Sequence, residues 1–463
     1  MSAEIWCGNH SFVQRSFFTV AILAVLLSAP LIQAQDGAPG GAPAGGPPSG
    51  MPPGGPGGPG GGPQSSKYTL SGVLSAGKAE TKSENGKNYT SDKKDVSAIY
   101  AYDGGSITLE KPAIVTSGGT SSNDNSSFYG LNAAALASSG GKLVIHGGTI
   151  TTSGDGANGA FAAGKGSYAE LSDVFIKATG GGGHGVMASN AGTMKITNVN
   201  MDTTGRSGAA IATDRGGGTI TSFGGTLKTA GQGSPSIYST GNITVTKATM
   251  ISTGAEGAVI EGSNSITVID SAMTSDKLCG AMLYQSFSGD AQGVDSHFNM
   301  TGGSFTVNAG PIFCVNNTNG TIKLSGVKLS SVSGVVLKAA PERWGKSGSN
   351  GGKAVLIAEK QELPGDLIVG DAGSSINAML KDGSTLNGAI QGASLTLDAS
   401  SKWIVKADSK LAGLTDTTGL SGDIFTNIVS NGHTVTYKAQ DGKNSWLAGK
   451  SYSLSGGGKL IPE

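Results

Sequence analysis

GTITSFGGTLKTAGQGSPSIYSTGNITVTKATMISTGAEGAVIEGSNSITVIDSAMTS, residues 218–275, writes one unit of about two dozen residues more than twice over. Working outward, Ile150, Ile176, Met201, Leu227, Met250 and Met273 fall in one column, at steps of 26, 25, 26, 23 and 23 residues. A second column reads Leu143, Ala169, Met194, Ile220, Ile243 and Ile266. Two residues further on lies a third, Ile145, Leu171, Ile196, Ser222, Val245 and Val268. Within each unit the apolar residues alternate with period two and never with period 3.6, in short runs rich in Ile, Val and Thr, so each run reads as a strand.

The unit divides into three strands. The first is a run of small residues opened by glycine, as at Gly159, Gly185, Gly208, Gly257 and Gly280. The second and third flank a tight turn such as Gly147-Gly148, Asn198-Val199 or Gly224-Gly225, and glycine closes the unit at Gly154, Gly180, Gly205, Gly231 and Gly254. A piece this small buries an apolar face only by stacking on copies of itself. The fold class expected is therefore all-β, a right-handed parallel β-helix solenoid of roughly a dozen three-strand coils. A leucine-rich repeat would need a leucine consensus and an asparagine turn, and a propeller would need longer four-stranded units.

Of 463 residues, 78 are glycine, and 32 basic side chains balance 32 acidic ones. Zero net charge with four arginines argues against a nucleic-acid partner or an anionic membrane surface. Residues 1–34 read as a secretory signal, with Arg15 before the apolar run Phe17 to Ala29 and cleavage after Ala34. Residues 35–66 are nearly all Gly, Pro and Ala and read as a flexible linker, since their triplet pattern is too brief for collagen. The β-helix is assigned to 67–370, and 371–463 to an irregular continuation with a C-terminal cap over the last open edge. A polar loop is expected from Ser117 to Ser127. Insertions run from Ser286 to Ser296 and from Ala340 to Gly352. Cys279 and Cys314 sit out of phase in neighbouring coils, which leaves open a disulfide or two separate thiols.

Through the three-strand coil, residues 95–370 resemble the right-handed parallel β-helix proteins of the pectin-lyase-like superfamily. The run from Leu395 through Trp403 to Leu411, with Asn427 and Gly432 to Tyr437, resembles the closing part of autotransporter-type adhesin passengers. The translocator barrel expected after such a passenger does not follow here, a departure from that pattern that leaves the export and anchoring route, including a separate membrane translocator as partner, open.

Enzymes of the superfamily carry their catalytic groups on the outer face of one strand ladder. Hydrolases of the polygalacturonase type combine an Asn-Thr-Asp, an Asp-Asp, a Gly-His-Gly and an Arg-Ile-Lys. Here Gly183-His184-Gly185 stands alone, and inverting hydrolysis needs two carboxyl groups. His184 therefore reads as a turn residue. The outward first-strand positions read Phe161, Met187, Ala210, Ile237, Val259, Met282 and Ile312. Two residues on they read Ala163, Ser189, Ala212, Ser239, Glu261, Tyr284 and Cys314, with Glu261 the only acid.

The candidate ligand-binding set is Asp290, Asp295, Arg343, Trp344 and Lys346, where two insertions could meet and a tryptophan beside an arginine could stack on a sugar or hold a carboxylate. The alternative places Trp344 folded onto the coils. No catalytic residue, metal or cofactor is expected. The function expected is that of a secreted or surface-exposed β-helical protein, adhesin-like or structural, acting on an extracellular glycan or a surface protein. The opposing class is a polysaccharide lyase or hydrolase with an unrecognised site.

Overall fold

A computed structural model describes residues 67–463 except 288 and 290. The proposed signal and linker lie outside the described residues. The described chain winds into a parallel β-solenoid of about 16 turns, against the dozen expected.

A regular coil consists of three strands, for example Val186–Ser189, Gly192–Thr197 and Asn200–Thr203. Third strands form a ten-stranded sheet of their own, from Asn88–Ser91 to Lys328–Ser331. The columns read from second and third strands hold to the residue: Ile150 pairs with Ile176, Ile176 with Met201, Met201 with Leu227 and Leu227 with Met250. Leu143, Ala169, Met194 and Ile220 follow suit. These side chains point inward and are buried. Removing each large one from water contributes roughly 2 kcal/mol. In the wider coils Phe298, Phe305 and Phe313 fill the centre, with ring centroids 5.3 to 6.3 Å apart.

The extra turns come from the C-terminal part, where coils shorten below the length of the repeat. Ala378 pairs with Leu395, 17 residues on, and Leu395 with Leu414, 19 residues on. The stack ends in two antiparallel pairings, Leu420–Ser421 on Ile424–Val429 and Tyr452–Ser455 on Lys459–Pro462. These break the parallel register at the last edge.

Three local features settle or depart from expectation. First, the loop expected at 117–127 leads into a helix, α1 (Asn123–Tyr129), capped by the Ser122 side chain and closed by Gly130 in the left-handed region. Second, Cys279 and Cys314 form a disulfide with Cα atoms 6.1 Å apart. Cys314 pairs in register with Met282, so Cys279 is three residues out of phase, and the turn before its strand closes that gap. Third, the outward first-strand register differs from the expected one. Met187 pairs with Ala212, Ala212 with Tyr238, Tyr238 with Val259 and Met282 with Cys314. Ala212, Tyr238 and Cys314 thus replace Ala210, Ile237 and Ile312. Ala210, not Gly208, takes the corner position held by Gly185 in the preceding coil.

At the closing corner, a Cβ built on Gly180 would collide with the carbonyl oxygen of Gly154, one on Gly205 with that of Gly180, and one on Gly231 with that of Gly205. Gly205→Ala is therefore expected to lower stability by about 2 kcal/mol or more, read as a fall in the thermal midpoint. Replacing Cys279 and Cys314 together by Ala should cost about 4 kcal/mol, since the bond closes a loop with a sequence separation of 35. Non-reducing peptide mapping checks the linkage itself.

Candidate functional site

On the strand Val186–Ser189 and its neighbours, both faces are buried. Phe161, Met187, Ala212, Tyr238, Val259 and Tyr284 form a second apolar cluster outside the solenoid core. Part of its cover is α1, whose Phe128 carbonyl accepts bonds from Ser189 Oγ at 2.6 Å and Asn190 Nδ2 at 2.8 Å. The Arg215 guanidinium lies 3.9 Å from the centre of the Phe128 ring.

Two residues beyond the Ala212–Tyr238–Val259 column comes a polar row, Asp214, Thr240, Glu261, Tyr284 and Asn316, all buried. Glu261 is its centre. Its carboxylate accepts from Tyr238 Oη at 2.6 Å, from Tyr284 Oη at 2.8 Å and from Ser286 Oγ. Burial, then the Glu261 charge, pushes both tyrosine hydroxyls well above their ordinary range and keeps them as donors. Asp214, which accepts from the Arg215 amide at 2.7 Å, is an acid that sequence reasoning missed because of the register slip. It stands two coils from Glu261, roughly 10 Å.

Of the five residues selected from sequence, the structure gathers two. Arg343 stacks on Trp344, with Cζ 4.1 Å from the ring centre. Trp344 packs on Tyr284 at 5.4 Å and Phe287 at 5.9 Å between centroids, and its Nε1 is buried with no hydrogen-bond partner. Asp295 opens the second strand of its coil, where its carboxylate accepts from Asn319 Nδ2 at 2.9 Å and its amide donates to Ser263 Oγ. Lys346 is exposed, and its carbonyl accepts from the Ser349 amide in a local turn. Asp290 lies outside the described residues. Among the described residues no three His, Cys, Asp or Glu side chains converge as metal ligands.

His184 is a corner residue. Its amide donates to Asn158 Oδ1, and its Nδ1 accepts from the Ala209 amide, both at 2.9 Å, so it links three successive coils. Burial lowers its pKa to about 4, which leaves the ring neutral.

No family model matches this chain, and no curated protein compared with it is similar.

Glu256, at the corner before Ala258–Glu261, is 1% exposed, and burial raises its pKa to about 8, a rise that the bond to its own amide only partly offsets. The folded state holds the Glu256 proton that the unfolded chain releases, so stability falls as pH rises from 4.5 to about 8. For His184 the folded state resists the proton that the unfolded chain takes up, so stability falls as pH drops from 6.5 towards 4. The two slopes oppose each other in acid, and above pH 6.5 only Glu256 acts. Glu256→Gln is expected to flatten the decline in denaturant midpoint between pH 6.5 and 8, while wild type keeps losing stability across that window.

Proposed function

We propose that this chain is a secreted or surface-exposed β-helical protein, adhesin-like or structural, that acts by binding an extracellular glycan or a surface protein. The observation that carries the reading is the exterior of the second strands. Lys195, Thr221, Thr244, Thr267, Asn299 and Lys323 stand side by side in register, one per coil. Such a row is flat and repeats about every 4.8 Å; its Thr and Asn side chains both donate and accept hydrogen bonds, and the lysines at its ends pair with Glu170 and Glu359. It favours many weak contacts with a repetitive partner over one enclosed small-molecule site. The likeness of the coil to pectin-lyase-like proteins, and of the closing segment to autotransporter passengers, supports the same class. The apolar run before Ala34 supports export.

One observation favours a second reading, a polysaccharide-active enzyme. Asp214 and Glu261 stand on the outer first-strand ladder, where the enzymes of that superfamily carry their catalytic groups. Both are buried, and Glu261 is already engaged by three hydroxyl donors.

The two readings separate in one assay, a glycan and polysaccharide panel scored for binding and for released reducing or unsaturated sugar. Binding without release is the expected result. Release that exceeds a heat-denatured control and disappears in Glu261→Gln would establish the enzyme instead.

A further inference from the structure

The third-strand sheet carries a shallow depression of about 330 Å³ lined by Phe175, Asn200, Met201, Asp202, Thr226 and Lys228. It spans three successive coils, since Phe175 pairs with Asn200 and Met201 with Leu227, the residue after Thr226. Most positions in the Phe175 column are small or polar: Thr149, Asn200, Thr226, Thr249, Ala272 and Ser304. Phe175 itself is 43% exposed. A ring left that open gains little from the fold and offers its face to a ligand. Met201, buried beneath, closes the floor.

The walls supply polar groups that other side chains leave available. Lys177, Asp202 and Lys228 stand side by side in the adjacent row, yet among the described residues neither lysine forms an ion pair with Asp202. Asn200 uses its oxygen on the Thr226 amide at 3.0 Å, and its amide group is exposed. Donors and an acceptor thus alternate around an apolar ring. A phosphate or polyanion would meet the Asp202 carboxylate, whereas a hydroxyl both donates and accepts and suits every wall. Phe223, 47% exposed, stands on the other side of the corner turn in the coil that contributes Thr226, two coils on from Phe175, or roughly 10 Å along the stack.

We infer that this corner is a carbohydrate-binding platform for a neutral β-linked hexopyranose chain, with one sugar stacked on Phe175, its hydroxyls held by Asn200, Asp202 and Lys228, and the chain running on towards Phe223. The inference rests on the glycan reading above and names a site for it that is separate from Trp344.

The test titrates the full chain with cellohexaose by calorimetry. Wild type should bind, Phe175→Ala should bind at least tenfold more weakly with an unchanged thermal midpoint, and Phe175→Trp should restore affinity and show fluorescence quenching on addition of the sugar. Trp344→Ala should leave binding intact. If Phe175→Ala binds like wild type, or if wild type ignores cellohexaose while binding other glycans on the panel, the platform is overturned and the glycan reading stands. If wild type binds no glycan at all, both fall.

Discussion

The spacing of parallel strands sets the terms for everything else in this chain. Hydrogen bonds between coils hold successive turns about 4.8 Å apart, and every corner has to close within that distance. At the closing corner the backbone of one coil lies against the carbonyl of the coil before it, and the column Gly154, Gly180, Gly205, Gly231 and Gly254 leaves out the only atom that would not fit. Inside the coils the same spacing stacks like on like, so an apolar residue in one coil calls for an apolar residue in the next. The repeat in the sequence is the record of these two demands.

Stacking also decides how polar groups survive burial. Asn158 accepts the His184 amide, and His184 in turn accepts the Ala209 amide, so the corner passes its bonds from coil to coil and leaves no gap. A charged imidazolium could not accept from Ala209, which is why the depressed pKa and the geometry agree. Glu261 follows the same logic on the outer face: two hydroxyls from adjacent coils and one from the following loop surround a single carboxylate. Glu256, with one carboxylate oxygen unpartnered, lacks this support and holds its proton instead.

Legibility in the sequence tracks exposure. Second and third strands have one face in water and one in the core, so Ile220, Ile243 and Ile266 stand out against Thr219, Thr221 and Thr244, and their register is legible to the residue. First strands are buried on both faces, as in Ala160–Ala163, where every residue is buried. Alternation then carries no contrast. Glycines are the only markers of register there; in one coil Gly208 sits two residues early and displaces Ala212 and Asp214, and in the next Ser236 stands where a glycine would mark the corner, which displaces Tyr238 by one. The same loss of phase hides how near Cys279 comes to Cys314. Helix α1 escapes for a different reason, because Asn123 to Tyr129 is poor in helix formers and is held by its caps and by Ser189 and Asn190. Beyond residue 370 the coils shorten and the repeat drops out of step, although the strands persist.

The two faces of the solenoid differ in what it would take to use them. For Glu261 to act on a ligand, its tyrosine donors must let go and Trp344 must leave Tyr284 and Phe287. Trp344 is partly buried, so returning its indole to water costs about 1.5 kcal/mol, which alone holds the open form to about one molecule in ten. Any chemistry there would carry that factor in its rate, unless the ligand itself displaced Trp344 and replaced its contacts. Phe175 and the Thr and Lys rows need no such opening, since they already face solvent on a backbone fixed by hydrogen bonds on both sides. A ligand arriving at those rows meets groups already ordered, so little of the binding energy goes into reorganisation. This asymmetry, and not a count of acids, is the physical basis of the binding proposal.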